Sequence, residues 1–176
     1  MKKLTAIILV FCMIFVVTSC GNSNTIVDET PSTEQDMGSE DFAIPLGETG
    51  AKVVIPAEMG FERYESELNE FYGGGPSGEW RIIVNTELKS DYTNCTLADY
   101  AELSAQANEG ESAQDADGNY YFIYVNEVSD DEIYKFYTAV REGAEKYYRI
   151  AFYCFDNTWD HYGEKFAEWA TTIEVE

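Results

Sequence analysis

Tyr120-Tyr121-Phe122-Ile123-Tyr124-Val125 decides the fold class of this chain. It is a run of aromatic and β-branched residues without polar alternation, which reads as a β-strand covered on both faces. Working outward, Tyr120 to Glu127 turns through Ser129-Asp130-Asp131 into a second run, Ile133 to Arg141. That run turns at Glu142-Gly143 into a third, Lys146 to Phe155. Short connections between strands of this kind make an antiparallel meander. Tyr147 to Phe155 is again apolar on both sides, interrupted by Arg149. Lys135 and Thr138 place the middle run nearer an edge.

Helical spacing brackets the meander. Upstream, Thr96 stands as an N-cap with Asp99 three residues on, and Gly110 marks the stop. Leu97, Tyr100, Leu103 and Ala107 form the expected apolar stripe. Downstream, a helix starting near Asn157 or Thr158 carries Trp159, Tyr162, Phe166, Trp169 and Ile173 on a wide apolar face. Thr171 to Glu176 ends as a short strand. Earlier in the chain, Phe42 to Leu46 and Lys52 to Ile55 flank Gly47-Glu48-Thr49-Gly50 as a hairpin closed by Pro56. A strand around Phe61 to Glu65, a glycine-rich loop at residues 73–78 and a strand over Trp80 to Thr86 complete the order.

Two helices and a sheet whose inner strands are apolar on both faces predict an α+β domain. Its architecture is a three-layer α/β/α sandwich with a central, mainly antiparallel sheet. The order hairpin, strand, helix, three strands, helix resembles the PsbP-like fold. So does the closing Phe166-Ala167-Glu168-Trp169-Ala170-Thr171-Thr172-Ile173. Photosystem extrinsic subunits, a Ran-binding import factor and various bacterial lipoproteins share that fold. The resemblance implies architecture and transfers no functional residue.

The N-terminus speaks to address. Lys2 and Lys3 precede an apolar run from Leu4 to Val17. As a helix that run spans roughly 21 Å, short of the roughly 30 Å hydrocarbon core, and so reads as a signal peptide. Val17-Thr18-Ser19-Cys20 resembles the lipobox of bacterial lipoproteins. The resemblance implies cleavage before Cys20 and a diacylglyceryl, further acylated, cysteine that ties the protein to the bilayer at the extracytoplasmic face of the cell membrane. Two acyl chains give a durable anchor where one is marginal. The expected organisation is a signal peptide over 1–19, a lipidated disordered tether over 20–41 and one globular domain over 42–176. The tether is polar and cannot bury enough surface to hold a fold; about 20 such residues reach roughly 25 Å.

Charge excludes one class of partner. The chain holds 33 acidic and 11 basic residues for a formal net charge of −22, and losing the two lysines of residues 1–19 makes it −24. Such a surface repels phosphate backbones and argues against nucleic-acid binding; it draws cations or basic partners, or simply keeps the domain soluble.

Chemistry is sparse. Of four cysteines, Cys12 leaves with the signal and Cys20 is the lipid acceptor; Cys95 and Cys154 are either a disulfide or two separate thiols. No spacing matches a metal motif, and neither a metal nor a cofactor is expected. Asp115-Ala116-Asp117-Gly118-Asn119 opens like a calcium loop, but Tyr120 and Asn126 stand where such a loop needs Gly and Glu, so a turn is expected. His161 alone cannot build a hydrolytic triad. Glu62, Glu65, Glu67 and Glu70 keep open a carboxylate-dependent hydrolase acting on cell-wall or dietary glycans. The favoured reading is a tethered domain that binds an unidentified protein or glycan partner, or supports an envelope assembly. Its candidate binding loop is Phe71 to Trp80, with Phe71, Tyr72 and Trp80 as anchors beside the glycines, unless those rings simply return to the core.

Overall fold

The computed structural model describes residues 42–129 and 131–176. The expected signal peptide and tether, with Cys20, lie outside the described residues. Ten strands and two α-helices run in the order β1 (Phe42–Pro45), β2 (Ala51–Ile55), β3 (Glu62–Arg63), β4 (Phe71–Gly74), β5 (Trp80–Leu88), α1 (Leu97–Gln106), β6 (Ser112–Gln114), β7 (Tyr120–Ser129), β8 (Glu132–Glu142), β9 (Lys146–Phe155), α2 (Trp159–Thr171) and β10 (Glu174–Val175). The large sheet is antiparallel in the order β3-β4-β5-β9-β8-β7-β6. A small sheet, β1-β2-β10, sits apart from it in pairing.

Strand alternation sends the two faces of the large sheet to different cores. Trp80, Ile82 and Val84 of β5 and Ile150, Phe152 and Cys154 of β9 face α2 and the small sheet. There Trp80 meets Trp169 with ring centres 5.0 Å apart, and Phe152 meets Phe166 at 5.7 Å. Leu46, Val53 and Ile55 of the first hairpin close the same core. On the opposite face α1 packs Tyr100, Ala101 and Ala105 onto Phe122, Val140 and Tyr147. Tyr100 lies flat on Tyr147 at 4.3 Å. The result is the expected three-layer sandwich, with the small sheet sharing a layer with α2.

Local chemistry explains the ends of α1. Thr96 Oγ1 accepts from the Asp99 amide at 3.2 Å while Asp99 Oδ2 accepts from the Thr96 amide at 2.9 Å, a reciprocal cap that satisfies two exposed donors. At the other end Glu109 takes the left-handed conformation (φ 57°), and the Gly110 amide donates back to Ala105 O at 2.9 Å. Gly110 is needed for closeness: a Cβ there would lie 3.0 Å from the carbonyl of Ile123.

Three expectations need correction. The buried stripe of α1 is Tyr100, Ala101, Ser104 and Ala105, and Leu103 is 53% exposed. Small side chains bring the helix close to the sheet, and the bulkier Leu103 turns outward. β7 is not covered on both faces: Phe122 is buried under α1, but Ile123 and Val125 on the opposite face are exposed, because α2 packs on β8 and β9 instead. β8 lies inside the sheet, burying Phe136 to Arg141. Lys135 accommodates this by resting its ammonium 4.8 Å from the Trp159 ring centre.

Candidate functional site

The residues of β5 that do not face α2 begin with Arg81. Register places Arg81 opposite Tyr153 of β9, Tyr153 opposite Phe136 of β8, and Phe136 opposite Tyr124 of β7. These four make one row across four strands on the face that carries α1. Phe136 stacks on Tyr153 with ring centres 4.5 Å apart and on Tyr124 at 4.5 Å. Tyr134 meets Tyr153 edge-on at 5.8 Å and stacks on Phe155 at 4.8 Å.

The arginine end is held by two more tyrosines. Arg81 Nε donates to Tyr72 Oη at 3.0 Å, and its guanidinium lies 4.9 Å from the Tyr64 ring centre. The Tyr64 and Tyr72 rings are 5.2 Å apart, and Tyr64 Oη donates to Gly75 O at 2.6 Å. Arg81 is thus fixed in orientation before any ligand arrives, which lowers the entropy cost of using it.

The row remains accessible because α1 is short. Ten residues make a helix of about 15 Å, and its packing partners are Phe122, Val140 and Tyr147. Beyond them Tyr64, Tyr72, Arg81, Tyr124, Tyr134 and Tyr153 are half-buried and Phe155 is exposed. Burial raises the Tyr124 and Tyr134 hydroxyls to about 12, with the bond to Glu132 adding to the rise at Tyr134; Tyr153 also moves upward from burial and the neighbouring Tyr72. All three are neutral at physiological pH, as tyrosines ordinarily are, and Tyr134 donates its proton to Glu132 Oε1 at 2.8 Å. Aromatic planes, neutral hydroxyls and one fixed arginine are the composition of a binding surface.

The loop anchors expected from sequence separate. Phe71 and Trp80 are in the α2-side core, Phe71 stacked on Phe61 at 6.1 Å, while Tyr72 alone reaches the row. The reason is that Phe71–Gly74 is strand, not loop, so neighbouring side chains point to opposite faces; the turn is confined to residues 75–79, where the Gly78 amide donates to Gly75 O at 2.9 Å. Cys95 and Cys154 are free and sit in different cores, Cys95 against the α1 cluster and Cys154 against α2. The sheet lies between them, so the disulfide alternative is corrected to two thiols.

The remaining residues singled out earlier belong to separate segments. Glu65, Glu67 and Glu70 border a depression of about 780 Å³ beside Tyr64 and Tyr72, and Glu62 is on β3. Glu70 is engaged by Thr86, whose amide and hydroxyl each donate at 2.7 Å. Asp115 Oδ1 accepts from the amides of Asp117 and Asn119 at 2.9 Å as a turn. Among the described residues no group of three His, Cys, Asp or Glu side chains is placed to hold a metal. His161 is exposed on α2, with Lys165 Nζ 3.1 Å from its Nε2.

Sequence reasoning missed Arg81, Tyr134, Tyr153, Phe136 and Tyr124 as a group. A signal was available: stepping equally back from the Glu142/Tyr147 pair at the β8–β9 turn brings Phe136 opposite Tyr153.

No protein-family model matches the chain, and no curated protein sequence matches it. Among solved structures it is similar to the solution structure of cyanobacterial PsbP (CyanoP) from Synechocystis sp. PCC 6803. The TM-score is 0.53 at 11% identity, over 84% of this chain and 98% of that one. The domain therefore has a PsbP-like fold; at that identity the likeness speaks of architecture alone.

Proposed function

We propose that the chain is a lipid-anchored extracytoplasmic domain that docks a protein partner through the Arg81–Tyr153–Phe136–Tyr124 row. The observation that carries this reading is an aromatic ladder, half-buried at Tyr153 and Tyr124 over the buried Phe136 and ending in a pre-oriented arginine, on the part of the sheet beyond the α1 contacts. Tyr and Arg give large contact area and directed hydrogen bonds, and Tyr does so at little rotamer cost. The Val17-Thr18-Ser19-Cys20 stretch supports the anchor, and no helix among the described residues is long and apolar enough to cross a membrane.

Site-specific photo-crosslinkers on intact cells test the reading. Placed at Tyr134 or Phe155 they should give one discrete protein adduct, while a crosslinker at the exposed Glu168 of α2 should not. No discrete adduct, or equal adducts at all three positions, overturns the docking face. Separately, Cys20→Ser should move the protein out of the detergent phase; unchanged partitioning overturns the anchor.

A further inference from the structure

The α2 side of the sheet carries a second concave surface, at its β7 end and across the sheet from the docking row. It is an open cleft of about 630 Å³, within the range of small-molecule sites. Tyr121 of β7 and Tyr137 of β8, stacked at 5.0 Å, form one wall, and Trp159 of α2 forms the other. Asp115, Asp160 and Glu164 also line it, and Ile123 adds apolar surface.

Two observations point to one ligand class. The first is electrostatic: among the described residues none of the three carboxylates has an ion-pair partner, although the domain holds three other salt bridges. Asp115 is moreover kept ionised: burial works against its charge, but hydrogen bonds from Asn119 and from the Asp117 amide, with Arg141 nearby, outweigh that and lower its pKa. The second is that the Trp159 ring, which lines the cleft, already receives an ammonium from a residue outside the lining: Lys135 Nζ lies 4.8 Å from its centre. A hard metal ion needs several convergent oxygens, and no such group is present among the described residues.

We propose that this cleft binds a linear aliphatic oligoamine. Asp160 and Glu164, one helical turn apart on α2, are spaced to meet ammonium groups separated by a short methylene run; the Cβ atoms of such a pair lie about 5–6 Å apart. Asp115 faces them from the β6–β7 turn. The methylenes lie against Tyr121, Tyr137 and Ile123, so charge and apolar surface are both matched.

Spermidine is the probe, titrated at about 0.15 M salt, where remote carboxylates are screened beyond roughly 8 Å. Trp80 and Trp169 are buried, so a change in indole emission reports on half-buried Trp159. The expected result is saturable binding of spermidine and none of 1,8-octanediol, which has a similar apolar chain without charge. Asp160→Asn with Glu164→Gln, both exposed, should weaken spermidine about ten-fold. Glu174→Gln with Glu176→Gln, the same charge change elsewhere, should leave it within about two-fold. Lys135→Met should tighten binding by removing the internal ammonium. The proposal is overturned by equal weakening in both double variants, by binding that does not saturate, or by tetralysine filling the cleft while spermidine does not.

Discussion

Arg141 Nη2 donates to the carbonyl of Ala170 at 2.7 Å, joining the buried end of β8 to the last turn of α2. Its other terminal nitrogen, Nη1, donates to Tyr120 O at 3.2 Å and Val140 O at 3.0 Å. A cation at a helix C-terminus meets carbonyls that have no partner within the helix. Arg141→Met keeps much of the apolar stem but removes the charged donor shared by these three carbonyls, and should cost about 2–3 kcal/mol. Urea unfolding should show a lower midpoint with an unchanged slope.

Phe166 and Leu103 test which face of each helix is structural. Phe166 is fully buried between Phe152 and Trp169, at 5.7 Å from each. Phe166→Ala should therefore cost about 3–5 kcal/mol. Leu103→Ala, on the exposed side of α1, should stay within about 0.5 kcal/mol. Thermal unfolding of the pair checks both, and a large loss at Leu103 would reverse the assignment of the α1 stripe.

The α1 cap makes a pH-dependent contribution of known sign. Hydrogen bonds from the Thr96 amide, then from its hydroxyl, lower the Asp99 pKa in the fold. A depressed carboxyl stabilises the fold above its unfolded pKa of about 3.9 and loses that contribution as pH falls from there through the folded value. Thr96→Ala should lower stability by about 1 kcal/mol at neutral pH. The gap between variant and parent should narrow below about pH 4, measured by urea midpoints across pH.

Cys95 and Cys154 should both label in urea without reductant, and adding reductant should change nothing. In the folded protein Cys154, which is buried and whose thiol burial pushes up, should react only on opening of the core. Cys95, half-buried before α1, should label faster even though burial and the charge of Asp99 raise its thiol too.

The layer order was legible because Tyr120 to Phe155 holds three long apolar runs with short turns, and because Phe166 and Trp169 recur at helical spacing. Residues whose role depends on depth in the sheet were not. Lys135 and Thr138 look like edge residues in sequence, but β8 is interior; Thr138 is buried with its hydroxyl unpartnered, and Lys135 escapes burial of its charge only by reaching Trp159. Phe71, Tyr72 and Trp80 failed as a unit for a related reason. A glycine run suggests a loop, whereas here Gly73 and Gly74 are strand positions where neighbouring chains come too close for a side chain.

That close approach separates the structural role of β4 from its part in the docking row. A Cβ on Gly74 would lie 2.3 Å from the carbonyl of Trp80, a backbone atom that cannot turn away. Gly74→Ala must push β4 from β5, and overpacking of this kind should cost about 1–3 kcal/mol. Because Gly74 pairs with Arg81 and its neighbour Gly73 follows Tyr72, the shift should also disturb the Arg81–Tyr72 hydrogen bond. Tyr72→Phe removes only the acceptor for Arg81 Nε and keeps the ring beside Tyr64, so stability should fall by no more than about 1 kcal/mol. If the row docks a partner, both variants should reduce the adduct captured from Phe155, with Tyr72→Phe doing so in a domain that still unfolds near the parent midpoint. A Tyr72→Phe variant with full adduct yield would mean that the orientation of Arg81 does not matter to docking.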